Sequence, residues 1–505
     1  MSAALTSMFL EGSQPAGFLR KCLVIARVKR KPRKKRIVIL GGGFGGVYAA
    51  MHLQKSLGRE SAVEICLVSH DNFFLFTPML HEIAASDLEI TNIVNPLRKL
   101  LRKVEVLVGD VDRIDLTNKL VVISRDYGNH SQQIDYDHLV IALGSITNLY
   151  DTPGVADLAV PMKSLRDAIQ LRAQTLRYLE EANSEYNPSD RLPSLTFVVA
   201  GGGFAGVETV AALNDFVREA LPFYPNLCED MLRVVLVHSG PVILPELGES
   251  LGRYSEKVLA QRGVEIRHNT RVKSMTNGDI VLTDDTSIPS RTLVWTAGTV
   301  PNPLVSSLPC AKERGRLLVD QFLRVPDWPD VWSVGDCAFV PDTRNPGKSH
   351  PPTAQHAIRE GKIAAQNIAA VLLGRRLKSF SFKTIGLLAS IGRRMGVARI
   401  FGLNFSGFFA WWMWRTVYLS KLPGLDKKVR VAFDWTLDLL FPKDVCAVYD
   451  PNHDRDFDRR DHTRNALGYN GDSPPSTHQP VPSSMGNGLT RIESLPGERY
   501  ERANP

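Results

Sequence analysis

Two glycine-rich loops of similar sequence lie 160 residues apart, GGGFGGV at 41–47 and GGGFAGV at 201–207. Each loop follows an apolar, β-branched run and precedes a helical pattern, which is the setting of a loop that binds a dinucleotide pyrophosphate. The first glycine permits a tight turn, the second admits the phosphates, and the third packs helix against strand. We therefore predict two dinucleotide sites, and the loop residues assigned to them are Gly41, Gly43, Phe44 and Gly46 in the first and Gly201, Gly203 and Gly206 in the second.

The residue that usually holds the ribose is acidic and ends the second strand of such a unit. Both units depart from this pattern, because Ser69 ends VEICLVS and His238 follows RVVLV. A serine hydroxyl can still hydrogen-bond a ribose. Histidine lacks the carboxylate that would repel a 2′-phosphate, so the second site is compatible with NADPH as well as NADH.

Three further apolar runs end in glycine turns: HLVIALGS at Gly144, TLVWTAGT at Gly298 and VWSVGDCA at Gly335. We expect these turns to complete the nucleotide sites. Two dinucleotides in one chain indicate a flavin that takes hydride from a nicotinamide, hence FAD and NADH. Asp336 is then placed to hydrogen-bond the ribityl chain of the flavin, although an aspartate that caps the strand end is the alternative.

The cysteines restrict the electron acceptor. None of the six lies in a CxxC or metal-ligand spacing, and residues 69–90 contain no cysteine. A disulfide reductase would need a redox pair near the flavin, soon after the first strand–helix–strand unit. We therefore expect no metal site and a diffusible electron acceptor.

The pattern predicts an α/β protein with two Rossmann-type dinucleotide-binding domains, the second inserted in the first. The FAD-binding domain is assigned to residues 36–154 and 319–400, and the NAD(P)H-binding domain to 155–318. A basic disordered arm is predicted over 1–35, and a disordered tail, rich in Ser, Pro and Gly, over 451–505.

The net charge of +8 comes from the N-terminal arm. Residues 1–36 contain ten Lys or Arg and one Glu, which gives +9 and leaves about −1 for the remainder. The body of the protein therefore has no charge excess of the kind that binds nucleic acid, and no such partner is expected.

A segment over 401–450 is unusually aromatic, with eleven of the forty aromatics and four of the seven tryptophans between Phe401 and Phe441. Its longest uncharged run, Ile400–Trp414, has fifteen residues, and a bilayer span needs about 20. Beyond Pro423-Gly424, a helical projection separates an apolar arc from a polar one. The apolar arc contains Val429, Ala432, Phe433, Thr436, Leu437 and Leu440, and the facing arc contains Lys427, Arg430, Asp434 and Asp438.

We interpret this segment as an amphipathic helical membrane-attachment segment, with its indoles in the headgroup zone. The alternatives are an aromatic-rich dimer interface and a helix packed on the core.

The motifs GGGFGG, ALGS, GGGFAGVE, VWTAGT, VWSVGDCA and PPTAQHAIREGKIAAQNI together resemble the type II NADH dehydrogenases. These are FAD-containing NADH:quinone oxidoreductases that do not pump protons, and the resemblance runs from about 36 to 444. It implies electron transfer from NAD(P)H through FAD to a membrane quinone. It also implies a peripheral protein on the cytoplasmic face of the inner (plasma) membrane, and a possible homodimer.

The resemblance assigns four further residues. Glu208 matches a family glutamate near the nicotinamide, where it hydrogen-bonds the cofactor or delivers protons; the alternative is a first-turn acid favoured by the helix dipole. Gln355 matches the quinone motif AQxAxQ, whereas Arg359 replaces its second glutamine. Lys383 is retained from a second family motif that has two lysines.

Two other functions fit the same motifs. One is a flavoprotein reductase whose acceptor is a protein such as ferredoxin. The other is a redox-sensing flavoprotein, similar to the apoptosis-inducing-factor group, with almost no turnover on quinones.

Overall fold

The computed structural model describes residues 33–125 and 130–446. The predicted tail over 451–505 and most of the predicted arm over 1–35 lie outside these ranges. Within the arm, Lys35 already begins the first strand.

A six-stranded sheet is formed by two separated parts of the chain. With strands and helices numbered in chain order, its strands across the sheet are β22 (Arg324–Val325), β23 (Trp328–Ser333), β9 (His138–Ile141), β1 (Lys35–Leu40), β2 (Val63–Ser69) and β5 (Glu105–Val108). All neighbours are parallel except β22 and β23. Ile37–Leu40 are fully buried, as expected for a parallel strand covered on both faces.

A five-stranded parallel sheet is formed by the chain between these two parts. Its strands in order are β11 (Val160–Pro161), β18 (Thr292–Trp295), β12 (Thr196–Ala200), β13 (Arg233–Val237) and β14 (Val264–Arg267).

Smaller antiparallel pairings, with one parallel pair between β21 and β24, complete the strands of the described chain. They are β3 (Phe73–Leu75) with β4 (Val94–Pro96); β6 (Asp110–Asp115), β7 (Leu120–Arg125) and β8 (His130–Asp135); β10 (Ser145–Thr147) with β19 (Thr299–Pro301); β15 (Val272–Thr276), β16 (Gly278–Leu282) and β17 (Ser287–Ser290); β20 (Lys312–Glu313), β21 (Arg316–Leu318) and β24 (Ala338–Phe339); and β25 (Gly386–Ser390), β26 (Gly396–Ile400) and β27 (Leu403–Ser406).

The helices of the described chain are α1 (Phe44–Leu57), α2 (Leu80–Ala84), α3 (Leu97–Leu100), α4 (Val155–Leu158), α5 (Leu165–Ser184), α6 (Pro188–Leu195), α7 (Phe204–Ala220), α8 (Glu249–Gln261), α9 (Pro303–Ser306), α10 (Ala354–Leu372), α11 (Gly407–Lys421) and α12 (Leu425–Leu437). Helix α1 joins β1 to β2, and α7 joins β12 to β13. Both predicted strand–helix–strand units are therefore present, each with its glycine loop at the start of the helix.

The sheet β25-β26-β27 continues past residue 400, which is the predicted end of the FAD-binding domain. Ile400 of β26 pairs with Leu403 of β27 across a two-residue turn. Phe401 and Gly402 of this turn have φ of 51° and 87°, as a tight hairpin of this hand requires. Helix α11 packs on the sheet, so residues 386–437 form one continuous unit.

None of the helices in the two described ranges is long and apolar enough to cross a bilayer. Helices α11 and α12 have 15 and 13 residues.

Helices α1 and α10 pack unusually closely. A Cβ atom added to Gly361 of α10 would lie 2.3 Å from the carbonyl oxygen of Gly45 in α1. Because the obstructing atom belongs to the backbone, no side-chain rotation can relieve the clash.

We expect Gly361→Ala to lower the free energy of unfolding by roughly 1–3 kcal/mol, the usual cost of overpacking. Thermal melting of the full chain measures this. Gln366→Ala is the control, because Gln366 is exposed on the same helix and should change stability by no more than about 0.5 kcal/mol. Equal melting temperatures for the two variants would contradict the close-packing argument.

Candidate functional site

An open cleft lies at the carboxyl ends of β1, β9 and β23, which are neighbours in the first sheet. It encloses about 450 Å³, which lies within the ~300–1,000 Å³ of a typical small-molecule pocket. The residues predicted for the first nucleotide site that line this cleft are Gly41, Gly43, Phe44, Ser69, Gly144, Gly335 and Asp336.

The first loop has the geometry of a pyrophosphate cradle. Gly41 has a φ of +110°, and a Cβ there would lie 2.2 Å from the carbonyl oxygen of Ala142. A Cβ at Gly46 would lie 2.0 Å from the carbonyl oxygen of Gly41, whereas one at Gly43 meets nothing within 4 Å. The loop is thus closed toward the protein and open toward the cleft at the N-terminus of α1, where anions are stabilised.

Ser69 supports this loop from below. A Cβ at Gly42 would lie 2.1 Å from the Ser69 hydroxyl oxygen. Position 42 must therefore be a glycine to leave room for the serine side chain.

The second loop repeats the geometry of the first. Gly201 has a φ of +116°, and a Cβ at Gly206 would lie 1.7 Å from the carbonyl oxygen of Gly201. Gly203, at the start of α7, again has nothing within 4 Å of its Cβ position. Gly298 has a φ of +142°, and a Cβ there would lie 2.5 Å from the Tyr150 hydroxyl oxygen.

His238 occupies the position under the second loop that Ser69 occupies under the first. Its Nδ1 accepts a hydrogen bond from the Gly202 backbone N–H at 3.1 Å, and its Nε2 lies 3.0 Å from the Val242 carbonyl oxygen, to which it donates. Burial lowers the pKa of His238, so the ring is neutral. The structure therefore gives this ring a role in holding the loop.

The Asp336 carboxylate belongs to a chain of three polar side chains along the cleft. The Ser145 hydroxyl donates to Asp336 at 2.7 Å, and the Lys163 ammonium donates to the Ser145 hydroxyl oxygen at 2.7 Å. All three residues line the cleft. Burial lowers the pKa of Lys163, and Asp336 opposes that shift.

Sequence reasoning missed Ser145 and Lys163. A capping box between Ser164 and Asp167 begins α5, and this local signal places Lys163 just before a helix. No local signal indicates its partners, which come from β10 and from the turn after β23.

A buried glutamate fixes the Gly335–Asp336 turn. The Gly335 backbone N–H donates to Glu360 of α10 at 2.7 Å. Burial raises the pKa of Glu360 to about 8. The turn is therefore held from below by a carboxyl group that the sequence analysis did not single out.

The predicted quinone motif begins at the cleft, because Ala354 and Ala357 of α10 line it. The Arg359 guanidinium donates to the Gln355 carbonyl oxygen at 2.6 Å and lies 3.9 Å above the Phe382 ring. Lys383 is exposed. The structure thus brings Gln355 and Arg359 together and leaves Lys383 at the surface.

Glu208 is the fifth residue of α7, just beyond its first turn, and is buried. Its Oε1 accepts hydrogen bonds from the Trp414 indole N–H at 2.8 Å and from the Ser390 backbone N–H at 3.1 Å. Its Oε2 lies 4.0 Å from Nδ1 of His81. Glu208 therefore connects the second glycine loop to β25 and α11.

Burial determines the protonation of this pair. It raises the pKa of Glu208 to about 8 and lowers the pKa of His81 to about 3. Near neutral pH both side chains are uncharged, so their 4.0 Å approach is no ion pair. Glu208 lies beyond the first turn of α7, where the helix dipole has little effect, so desolvation determines its protonation.

The tryptophans of the aromatic segment do not behave as predicted. Trp411, Trp414 and Trp435 are buried, and Trp412 alone of the four is exposed. The expectation that the indoles lie in a headgroup zone is therefore wrong for three of them. Two of these three indoles donate their N–H groups to buried carboxyl groups. Trp435 donates to Glu82 at 3.1 Å, as Trp414 does to Glu208.

The outward surface of α12 is apolar instead. Leu425, Val429 and Phe433 follow one another at four-residue spacing on one helix face, and each is at least 62% exposed. Two residues of the polar arc face the protein: the Lys427 ammonium donates to the Thr91 carbonyl oxygen and the Asp434 carboxylate accepts from the Asn92 side chain, both at 2.6 Å. Arg430 of the same arc is exposed.

No group of three or more His, Cys, Asp or Glu side chains within the described residues is arranged to hold a metal ion. The cysteines described there are free thiols, and Cys337, beside Asp336, is buried.

Two family models match the chain. The model for pyridine nucleotide-disulphide oxidoreductases matches residues 35–361, and that for the NDH2 C-terminal domain matches residues 385–444.

Curated relatives match over most of the chain. A type II NADH:quinone oxidoreductase of Mycobacterium tuberculosis is 32% identical, over 81% of this chain and 89% of the relative. A demethylphylloquinone reductase of Synechocystis is 30% identical, over 80% of this chain and 96% of the relative.

The fold is also found in solved structures. NDH2 of Plasmodium falciparum in complex with NADH has a TM-score of 0.75 at 20% identity and covers 82% of this chain and 100% of its own. The sulfide:quinone oxidoreductase of Aquifex aeolicus has a TM-score of 0.61 at 18% identity, over 81% of this chain and 96% of its own. From the family models and the curated relatives together, the chain belongs to the pyridine nucleotide-disulphide oxidoreductase family and, within it, to the type II NADH:quinone oxidoreductases.

Proposed function

We propose that this protein oxidises NADH and reduces a membrane quinone through bound FAD, without pumping protons. The observation that carries the proposal is the shared cleft, in which the first glycine loop, the Gly335–Asp336 turn and the start of α10 converge. The curated relatives named as type II NADH:quinone oxidoreductases support the same reaction.

The residues of the cleft fit FAD. Gly41, Gly43 and Gly46 offer an open backbone cradle for the pyrophosphate at the N-terminus of α1. Asp336 presents a carboxylate to the ribityl hydroxyls, and Ser145 and Lys163 hold that carboxylate in place. When bound, FAD accepts a hydride from the nicotinamide and passes two electrons onward.

We assign the six-stranded sheet to an FAD-binding domain and the five-stranded sheet to an inserted NADH-binding domain, both of the Rossmann type. The second loop offers NADH the same open cradle at Gly203. Neutral His238 contributes neither a carboxylate that would repel a 2′-phosphate nor a positive charge that would attract one. NADPH should therefore be a weaker substrate than NADH but should not be excluded.

We place the quinone headgroup at the start of α10, near Gln355 and Arg359. Arg359 is held by the Gln355 carbonyl oxygen and by the Phe382 ring. A fixed guanidinium can donate hydrogen bonds to a quinone oxygen and stabilise negative charge there. Lys383 follows Phe382 in the sequence and is exposed, so it could contact a quinone only where the quinone enters the site.

Glu208 is the proposed proton donor to the reduced quinone. Its buried carboxyl group is protonated near neutral pH, because burial raises its pKa to about 8. The hydrogen bonds from Trp414 and Ser390 to Oε1 leave Oε2 to carry the proton.

We propose that residues 401–444 attach the protein to the membrane surface through the outward faces of α11 and α12. The exposed apolar residues there include Phe408, Phe409, Trp412, Phe433 and Leu440. Burying each in the bilayer boundary contributes about 1–2 kcal/mol. The surface in question would be the cytoplasmic face of the inner (plasma) membrane, where NADH is available. A homodimer stays a prediction.

Steady-state oxidation of NADH by the purified, detergent-solubilised protein should depend on an added short-chain quinone. NADPH should support a slower rate under the same conditions. If NADH changes the visible flavin spectrum without quinone turnover, the acceptor is a protein or the flavoprotein is a sensor, and the proposed function is wrong.

Glu208→Gln should lower quinone turnover by roughly 100-fold, as the loss of a general acid does. Glutamine still accepts from Trp414 and Ser390 but has no acidic proton. Wild-type turnover should fall above pH about 8, where Glu208 loses its proton, and the variant should lack this limb. A variant with the wild-type pH profile would exclude Glu208 as the donor.

Replacing Phe409, Trp412 and Phe433 together by serine should abolish sedimentation of the protein with liposomes. Deletion of the whole segment is a poorer test, because Trp414 and Trp435 bond buried carboxyl groups of the body. Phe223→Ser is the control, since Phe223 is exposed but lies outside the segment. Undiminished sedimentation of the triple variant would refute the membrane surface.

A further inference from the structure

We propose that a small polar cavity behind Glu208 is a proton-entry site, in which Glu82 and His81 pass protons from solvent to Glu208. The inference rests on the proposed quinone reductase function and adds the route by which its protons arrive.

The chemistry requires such a route. In the balanced reaction, NADH + H⁺ + quinone gives NAD⁺ + quinol. NADH supplies two electrons and one hydrogen as hydride, so the second hydrogen of the quinol comes from solvent as a proton. If Glu208 gives its proton to a quinone oxygen, the carboxylate left behind is buried and must be reprotonated before the next turnover.

A cavity of about 30 Å³ adjoins Glu208, which is room for one or two water molecules. Two direct neighbours of Glu208, His81 and Ser390, line it. Glu82, the residue after His81 in α2, also lines it. His81 therefore lies between the cavity and the Glu208 carboxyl group.

Glu82 has a free oxygen at this cavity. Its side chain is buried, with 5% of the residue exposed. Oε1 accepts from the Trp435 indole N–H, whereas Oε2 has no hydrogen-bond partner among the described residues. Buried polar atoms are almost always paired with protein or with water, so this oxygen indicates a water-binding position.

Charged groups from several elements face Glu82. Arg415 of α11 lies 4.2 Å from the Trp411 ring centroid and 4.7 Å from that of Trp435, and its charge lowers the pKa of Glu82. Asp87 and Asp438 raise it. Burial has the largest effect and brings the pKa of Glu82 to about 8.

The pKa values of the carboxyl groups rise inward along the proposed route. Asp87, bonded to Lys443 at 2.6 Å, has a pKa raised by burial to about 6. Glu82 and Glu208, deeper in the protein, both have pKa values raised to about 8. A proton taken up at Asp87 thus moves toward groups that hold it more firmly. Because burial lowers the pKa of His81 to about 3, the imidazole stays neutral and passes a proton by accepting one on one ring nitrogen while releasing another from the other.

The cavity has a second charged wall that does not take part in the relay. Asp215 accepts from the Arg393 backbone N–H at 2.7 Å and forms an ion pair with Arg262. Arg393 also donates to the Asp438 carbonyl oxygen at 2.6 Å. These bonds fix this wall of the cavity.

Glu82→Gln tests the relay in the full-length holoprotein. Glutamine keeps an acceptor for Trp435 but carries no acidic proton. Quinone turnover is compared with turnover of ferricyanide, which takes electrons and no proton. The ratio of quinone to ferricyanide turnover should fall about tenfold or more. Asp434→Asn is the matched control, because Asp434 is a carboxylate of the same segment that is bonded to Asn92 outside the cavity.

Trp435→Phe provides a second variant that retains the Glu82 carboxyl group. Infrared spectra give a readout independent of turnover. Of the acid-form C=O bands that titrate near pH 8, those of Glu82, Glu208 and Glu360, one should be absent in Glu82→Gln. The indole N–H lowers the pKa of Glu82, so Trp435→Phe should move the titration profile of that band to higher pH, which the loss of a merely structural contact would not do.

The outcomes separate the two proposals. A wild-type protein without quinone turnover overturns the proposed function and the relay together. A wild-type protein that reduces quinone, with a Glu82→Gln variant of unchanged turnover ratio or unchanged infrared band, overturns the relay alone. If Glu82→Gln does not fold, an unshifted titration profile of the Glu82 band in Trp435→Phe overturns the relay alone.

Discussion

Two N–H groups, the Trp414 indole and the Ser390 backbone amide, converge on one oxygen of a carboxyl group that has almost no contact with water. A buried carboxyl group is tolerated only when it is neutral or fully bonded, so Glu208 makes three elements depend on one another. Helix α7 supplies the acid, and β25 and α11 supply its donors. Loss of either donor would leave a polar group of the interior unsatisfied, at a cost of about 1–3 kcal/mol.

This dependence gives the C-terminal segment a structural role in the interior of the protein. Its outward face is apolar, but its inward face holds Glu208 through Trp414 and Glu82 through Trp435. The segment therefore completes the interior around the second glycine loop. The same two helices carry an exposed apolar face and the indole donors of both buried carboxyl groups.

Features that depend on a few consecutive residues could be predicted from the sequence. The glycine loops could be predicted because a tight turn, an open approach and a close helix contact all follow from the absence of Cβ at Gly41, Gly43 and Gly46. Lys163 and Glu82 could not be predicted, because their partners lie far away along the chain. Lys163 meets Ser145, which itself donates to Asp336 of the turn after β23, and Glu82 meets Trp435 of α12.

The aromatic segment shows a second limit of sequence patterns. Helix α11 is apolar around much of its circumference, so the spacing of its residues does not indicate which side is covered. In α12 only the structure shows that Lys427 and Asp434 of the polar arc face the protein at Thr91 and Asn92. A single hairpin, with Phe401 and Gly402 at its tip, joins the strands on either side of residue 400, the predicted end of the preceding domain, and no pattern of consecutive residues indicates that pairing.

The chain leaves the first sheet along β10 and returns along β19, and these strands are hydrogen-bonded side by side, with Ser145 opposite Pro301. All strands of the second sheet lie between them in sequence. A stretch of polypeptide whose ends are neighbours can be copied into a surface turn of an ancestral protein without breaking that protein's fold. The repeated glycine loops accord with an insertion of this kind. Ser69 and His238 support the equivalent glycines Gly42 and Gly202 with different chemistry, so one backbone cradle accommodates two different residues beneath it.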